Sequence, residues 1–516
     1  MHIELFPQAS ALLCFAALAA PQVPLIENPV FSPVERRLIL SYWNQPGRYS
    51  VVAAADKTAP GPWEVRPTAE GSRWFYAYQK ATGVSMNPAL RSTPALNGPF
   101  GEWEAWVRAK IAYDRWQAQQ RVALANGVKK LPPGIRLAGN SSADGMPPPP
   151  GPMPGRLREV CGDAPLFAEA AQPRAYTVVF DKAEETFTYT DHVRLYDRYA
   201  YYRFPEGVVS YGTRLAEMPE AERDTLFRLA GFSPSEERIL SAVSRLEGGF
   251  ETVQTYDTGY VSIGFIQFVS LEEGRADLAA VLARMKAETP REFQADFRRF
   301  GIDVSPDGVL TVVDPATGAE LLGKNAVRRI IEDKRLTAVF QRAGRRAAFR
   351  VAQIKVAKDY YWTDNDPLTV TLPGGTTVSG RIGTVVRSEA GRATLLDRKI
   401  NTGNLRTFPA VVQQVMARHG CRTLAEAARY EREIVAAMTY RADFLNDLSL
   451  GQPLPPPVPI TVPQPFTAPS FVPTPTIAPT PFPSPTPFAL PTPTPYPWQN
   501  PPLNSANTPE KEVALP

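Results

Sequence analysis

Two carboxylates sit ten positions apart in RLEGGFETVQTYDTGYVSIGFIQF, residues 245–268: Glu247 and Asp257. Ahead of them, Ser233-Pro234-Ser235-Glu236 is a capping box with proline in the first helical position, so a helix begins there. Its apolar residues are Ile239, Leu240, Val243 and Leu246, and Glu247 follows Val243 by four, Leu240 by seven and Ile239 by eight. Those offsets place Glu247 on the buried stripe, with Gly248 and Gly249 ending the helix. Burial raises a carboxyl pKa, which is what a general acid working near neutral pH requires. The alternative is a structural glutamate paired with a buried arginine, Arg238 or Arg245 being the nearest in sequence. Asp257 precedes the turn signal Thr258-Gly259-Tyr260, which opens into the strand-like VSIGF. A carboxyl pair of this kind is what glycosidic cleavage needs: one protonates the leaving oxygen, the other activates water or stabilises the oxocarbenium-like transition state. Gly259 and Gly264 would let backbone approach a sugar closely.

The segment resembles the lysozyme-like superfamily, and the phage-type lysozymes (endolysins) most closely. The resemblance rests on Glu247-Gly248, Asp257 and the hairpin Gly259-Tyr260-Val261-Ser262-Ile263-Gly264, about 25 residues in all. Two features depart from that pattern: nine residues, not eight, separate Glu247 from Asp257, and Ser262 stands where the family has threonine. DTGYVSIGFIQF is also similar to the hairpin of family-46-type chitosanases. Gly264-Phe265-Ile266-Gln267 looks like the Gly-Leu-x-Gln of lytic transglycosylases, which lack the second carboxylate. The resemblance implies Glu247 as general acid, Asp257 holding or activating water, and Ser262 helping to position it. Tyr260 and Gln267 would line the groove.

Asp397 and Asn401, four apart in LLDRKINTGN, share one face of a helix end; they line the cleft or form a local side-chain network. Arg345, Arg346, Arg350, Lys355 and Lys358 either contact an anionic wall polymer or form a solvated helix face. TDNDP, residues 363–367, lacks the glycine and distal glutamate of a calcium loop. His2, His192 and His419 are far apart, and no cysteine spacing suggests a metal. Neither a serine-centred G-x-S-x-G nor a phosphate-binding P-loop occurs. No cofactor and no metal are expected.

The elements that must position these residues are mostly helices. From 215 to 446, helical patterns recur, among them SPSEERILSAVSRLE, LEEGRADLAAVLARMKAE, GKNAVRRIIEDKRLTAVFQRAG, RRAAFRVAQIKVAKDYYW and TLAEAARYEREIVAAMTYRADFLN. Two strand-like interruptions are expected, around 256–268 and 368–383. Upstream, RAYTVVFDKAEETFTYTDHVRLYDRYAYYRF alternates apolar and polar residues and reads as two or three strands, its tyrosines flanking a groove or packing internally. GEWEAWVRAKIAYDRWQAQQRVALANG is a helix whose Trp103, Trp106 and Trp116 serve packing or sugar stacking. ERRLILSYWNQPGRYSVVAAA suggests a strand or short helix entering a sheet edge. The expected fold is mainly α, of α+β character: a lysozyme-like catalytic domain over 215–446 with a small hairpin at its site. An α/β region (30–130), a Pro/Gly linker (131–156) and a β-rich segment (157–214) precede it, and a disordered Pro/Thr-rich tail (451–516) follows.

The 516 residues include 54 prolines, clustered after Leu450 in an extended, polyproline-type sequence. A net charge of +4, from 56 basic and 52 acidic residues, makes no case for nucleic acid. Ala9–Ala20 is a short apolar run ending in small residues, read as a signal peptide (residues 1–20) cleaved near Ala20, although a positive leader is missing. A buried N-terminal helix is the alternative. No run is long enough to span a membrane. Cys161 and Cys421 either pair or remain separate buried thiols. The expectation is a secreted or envelope hydrolase cutting β-1,4 bonds of peptidoglycan, its partner a polysaccharide and its oligomeric state open. Chitosanase-like cleavage of a glucosamine polymer and non-catalytic glycan binding are the alternatives.

Overall fold

The computed structural model describes residues 29–53, 63–83, 100–127 and 146–455. The apolar segment at Ala9–Ala20, residues 131–145 of the linker and the tail beyond residue 455 lie outside the described residues. The fold is mixed α+β, 49% helical and 14% strand. Among the described residues, no helix is long and apolar enough to cross a membrane.

The described chain opens with α1 (Pro33–Trp43), fixed by a Ser32/Glu35 capping box, and β1 (Tyr49–Ala53). Next come β2 (Glu64–Pro67), α2 (Ala69–Thr82), α3 (Gly101–Ala125), α4 (Gly155–Cys161), β3 (Ala168–Ala171), β4 (Arg174–Val179) and β5 (Thr186–Thr190). The site region holds β6 (Val209–Ser210), α5 (Glu220–Leu229), α6 (Pro234–Ser244), β7 (Val253–Gln254), β8 (Ser262–Ile263) and β9 (Phe268–Val269). Behind it run α7 (Asp277–Glu288), α8 (Pro290–Asp296), β10 (Ile302–Val304), β11 (Leu310–Val313), β12 (Glu320–Leu322), α9 (Gly323–Glu332), α10 (Lys334–Ala343) and α11 (Ala347–Tyr361). The chain closes with β13 (Pro367–Thr371), β14 (Thr377–Arg381), α12 (Ile382–Val385), α13 (Glu389–Thr402), α14 (Phe408–His419), α15 (Leu424–Ala427) and α16 (Glu431–Ala436).

β6–β9 form an antiparallel sheet in chain order, and β10–β12 a three-stranded meander. Three features differ from the sequence expectation. The meander is a third strand-bearing insertion, built from strands of three or four residues that are too short to show a period. The single helix expected over GKNAVRRIIEDKRLTAVFQRAG is two, broken at Asp333, whose side chain caps α10. The 423–446 segment splits into α15, α16 and intervening turns.

The described residues form two main cores and a third small cluster of Ala69, Tyr202 and Tyr256. Trp74, Phe75, Tyr78, Trp103, Val107, Leu157, Phe167 and Ala200 form the smaller main core. Trp103 thus serves packing, and the Trp106 indole donates to the Gly151 carbonyl at 2.9 Å. The larger core runs from Phe31 to Leu450 and includes Trp43 of α1 and Phe187 of β5 as well as the helices after residue 215. β1 is the edge of the β1-β4-β5 sheet, and the Trp43 indole donates to Phe300 O at 3.0 Å. Segments that look separate in sequence therefore bury their apolar faces together. Cys161 and Cys421 are both free thiols.

Candidate functional site

α6 begins as the capping box dictates: Glu236 N donates to Ser233 Oγ, and the Glu236 carboxylate accepts from Ser233 N at 2.8 Å. Ile239, Leu240, Ala242 and Val243 are buried, and the helix packs on α13. The helix stops at Ser244, three residues earlier than the glycine pair suggests. Leu246 N and Glu247 N reach back to Val243 O and Ser244 O, each at 3.0 Å, in a tighter turn of i→i+3 type. Glu247 rides on that turn, and its side chain is only 7% exposed.

Gly248 and Gly249 fold the chain sharply after Glu247. A β-carbon on Gly248 would lie 2.0 Å from Thr252 Oγ1, and one on Gly249 1.8 Å from Thr213 O. No other residue fits either position without moving backbone or its neighbour. The chain then enters β7, and Gly264 N donates to Thr252 O at 2.9 Å. Gly264 has φ +87°, and the α11 residue Gln353 occupies the space its side chain would take, 2.1 Å from such a β-carbon. Gln353 is fully buried; it donates to Phe250 O at 3.0 Å and accepts from Phe265 N at 3.4 Å, clamping both sides of the glutamate-bearing turn to α11.

The arginine that pairs with Glu247 is neither sequence neighbour. Arg238 binds Glu389 and Arg245 binds Asp447. Arg441 instead reaches Glu247 Oε1 through Nη2 at 2.5 Å. The same guanidinium gives Nη2 and Nε to Asp397 Oδ1 at 2.6 and 2.8 Å, and its backbone N–H donates to Asp397 Oδ2 at 3.2 Å. Asn401 Nδ2 donates to the Asp397 carbonyl at 2.8 Å and to Asp397 Oδ1 at 3.3 Å. The structure thus brings Asp397 and Asn401 to Glu247, and the pair is also a local network within α13. Two nearly inaccessible carboxylates share one cation, and Asp397 takes most of its hydrogen bonds. Burial pushes the Glu247 pKa up against the opposing pull of Arg441 and Asn401, and the Asp397 charge adds to the rise.

Beside this triad, Tyr361 at the end of α11 donates to Asp277 Oδ2, and Asp277 Oδ1 accepts from Val269 N at 2.7 Å. That bond ties β9 to α7. Burial first, then the charges of Asp277 and Glu247, drive the Tyr361 phenol far up, so it remains a donor.

Asp257 lies in the loop from β7 to β8. Its Oδ1 accepts from Gly259 N at 2.8 Å, Oδ2 accepts from Gln254 Nε2, and its carbonyl accepts from Tyr260 N at 3.1 Å. Burial raises its pKa from 3.8 to about 6, against the Gly259 and Gln254 hydrogen bonds and the Arg203 charge. Ser262 is buried on β8, opposite Gln254. A β-carbon on Gly259 would lie 2.6 Å from Ser262 Oγ and 3.2 Å from Asp257 Oδ1, so the two side chains converge on that glycine. Tyr260, Gln267 and Leu271 have φ of +66°, +57° and +50°, the three left-handed non-glycine residues among those described. All lie in twelve residues around this loop, strain of the sort concentrated at working sites. Near Tyr260, Glu272 pairs with Lys324 at 2.5 Å, and Gln267 is half-buried in the β8–β9 turn.

Arg441, Tyr361, Asp277 and Gln353 are the site residues that sequence reasoning misses. Each belongs to a helix or loop whose own pattern marks no chemistry, and only the tertiary fold delivers them. Chemically, the arrangement offers a carboxyl with raised proton affinity held by a guanidinium, and on the β7–β8 loop a second carboxyl titrating at about 6. No family model, curated protein or solved structure matches the chain.

Proposed function

We propose that the protein is an exported glycoside hydrolase that cuts β-1,4 bonds of peptidoglycan by general acid/base catalysis. The supporting observation is the Glu247–Arg441–Asp397 triad: burial raises the proton affinity of Glu247, and the Arg441 hydrogen bond fixes the carboxyl's direction. Glu247 gives its proton to the glycosidic oxygen as the bond to the anomeric carbon breaks. Asp257, ionised, takes a proton from the water that attacks that carbon, and Ser262 orients the water. Arg441 does not touch the reacting atoms; it positions Glu247 and stabilises the carboxylate left after proton donation. Attack from the face opposite the leaving group inverts the anomeric centre, which requires carboxyls roughly 6.5–9.5 Å apart.

The test is incubation of the full chain, Glu247→Gln and Asp257→Asn with peptidoglycan and with chitosan. New reducing ends from the parent on peptidoglycan, lost in Glu247→Gln, support the reading. Equal activity in parent and Glu247→Gln removes Glu247 as the acid. Cleavage of chitosan alone moves the substrate to a glucosamine polymer, and 1,6-anhydro products replace hydrolysis with transglycosylation. No product from either polymer favours a non-catalytic glycan binder.

A further inference from the structure

Arg203 stands where the segment 199–204 meets the Asp257 loop. Its backbone N–H donates to Tyr256 O at 2.8 Å, beside that of Phe204 at 3.2 Å. Gly207 permits the approach: a β-carbon there would sit 2.5 Å from both Thr255 O and Tyr256 Cα. One nitrogen anchors the side chain, Nη1 donating to Ala200 O at 2.9 Å and to Tyr202 O at 3.2 Å. The other edge of the guanidinium, Nε and Nη2, donates to no described residue, and no described carboxylate forms an ion pair with it. Arg203 is half-buried, yet neither of those nitrogens is a buried, unpartnered atom, so both are open to solvent.

The charges that face Arg203 come from three directions: Arg73 of α2, Tyr260 and Asp257 of the β7–β8 loop, and Tyr199 of its own segment. Burial and then the Arg73 charge lower the Arg203 pKa, against the pull of Tyr260, Asp257 and Tyr199. Asp257 gives its two oxygens to Gly259 N and Gln254 Nε2 and does not bond the guanidinium. Glu70 sits on Arg73 Nη2 at 2.8 Å, which leaves Arg203 as the cation beside the loop without an acid of its own. Elsewhere in this molecule the same guanidinium edge holds a carboxylate. Nε and Nη2 together take Asp333 in Arg335, Glu35 in Arg298 and Glu389 in Arg238. Two parallel N–H groups match the two oxygens of a carboxylate, a fit that a lone ammonium does not reproduce.

We propose that Arg203 is a specificity-determining residue beside the Asp257 loop, its Nε–Nη2 edge binding a carboxylate on the peptide stems of peptidoglycan. The inference rests on the glycosidase reading, from which it takes the polymer, and names the part of that polymer that is recognised. Chitosan presents ammonium groups instead, which Arg203 and Arg73 repel. The acid of the stem is thereby held next to the carboxyl assigned to the attacking water.

The experiment uses the full chain in the Glu247→Gln background, sedimented with insoluble peptidoglycan and with the same polymer after its carboxyls are converted to methylamides. Glu247→Gln should bind the untreated polymer about tenfold more tightly, and adding Arg203→Met should shrink that preference to about twofold or less. Arg203→Lys, which keeps the charge but not the fork, should retain an intermediate preference. Arg291→Met, at an exposed arginine of α8, should retain all of it. Equal binding to both polymers, no binding to either, or a preference that survives Arg203→Met overturns the proposal. So does an equal loss in Arg291→Met, which would mean attraction by overall charge. Should Arg203→Met unfold, Arg203→Gln, neutral but still able to donate to Ala200 O, decides on the same readouts. The two readings fail separately. If the parent releases no reducing ends but the Arg203-dependent preference is found, the carboxylate site stands without the hydrolase. If reducing ends appear, are lost in Glu247→Gln, and no preference is found, the hydrolase stands and the Arg203 site falls.

Discussion

Burial raises the Glu247 pKa against the pull of Arg441, a guanidinium it shares with Asp397. If it is the acid, Glu247→Gln should cut turnover by about 10²–10⁴-fold with little loss of folding stability, read from reducing-end assays beside urea titrations. Arg441→Met should lower stability as well as turnover. It strands two buried carboxyls without a cation and should cost about 3–5 kcal/mol of stability, measured by urea unfolding. Lysine should not rescue it, since a point charge cannot serve Asp397 and Glu247 from two nitrogens at once. Asp257 supplies a signed pH test. Its pKa in the folded protein, about 6, exceeds its ordinary value of 3.8, so the folded state binds the proton more tightly than the unfolded chain. That contribution to stability is complete below about pH 4 and is lost as pH rises through about 6. Relative to the parent, Asp257→Asn should therefore gain about 2 kcal/mol between pH 4 and pH 7.5. An identical parent–variant difference at both pH values would refute the shift. Activity of the parent should rise with pH through about 6 as Asp257 ionises, and a flat profile from pH 4.5 to 6.5 would remove it as the base.

At the scale of elements, Gly264 is the joint between the hairpin and α11. Gly264→Ala combines a left-handed backbone with an overlap on Gln353 Oε1, and should destabilise by about 3 kcal/mol in thermal or urea unfolding. The elements also show what local pattern can and cannot reveal. The start of α6 was legible because Ser233, Pro234 and Glu236 interact within one turn, and the burial of Glu247 because the apolar offsets of α6 carry through the turn beyond it. Asp397 and Asn401 could be picked out as a same-face pair, although nothing in LLDRKINTGN says that Glu247 is their neighbour. The β10–β12 meander was hidden because its strands are too short for alternation and are almost wholly buried on both faces. Arg441 was hidden for a different reason: its partners lie 44 and 194 positions upstream, and no periodicity reaches that far.

For the whole molecule, the large core makes the N-terminal elements part of the body that carries the candidate site. Trp43 is 1% exposed, packs against Tyr42, Phe180 and Phe300, and gives its indole N–H to Phe300 O. Trp43→Ala should cost about 3–5 kcal/mol by urea unfolding and lower the thermal midpoint of the whole chain. An unchanged midpoint would mean that α1 is an appendage. Glu320 adds a second tie, its carboxylate accepting from Val30 N at 2.6 Å and Phe31 N at 3.0 Å.

The 194-residue separation between Glu247 and Arg441 also has a meaning in time. A ribosome adding about 5–20 residues per second exposes the glutamate roughly 10–40 s before the arginine that orients it. A chain released early, anywhere short of Arg441, would hold an acid with nothing to aim it. On the proposed chemistry, the hydrolase would be switched on by its own completion, and unfinished products would be harmless to the cell that makes them.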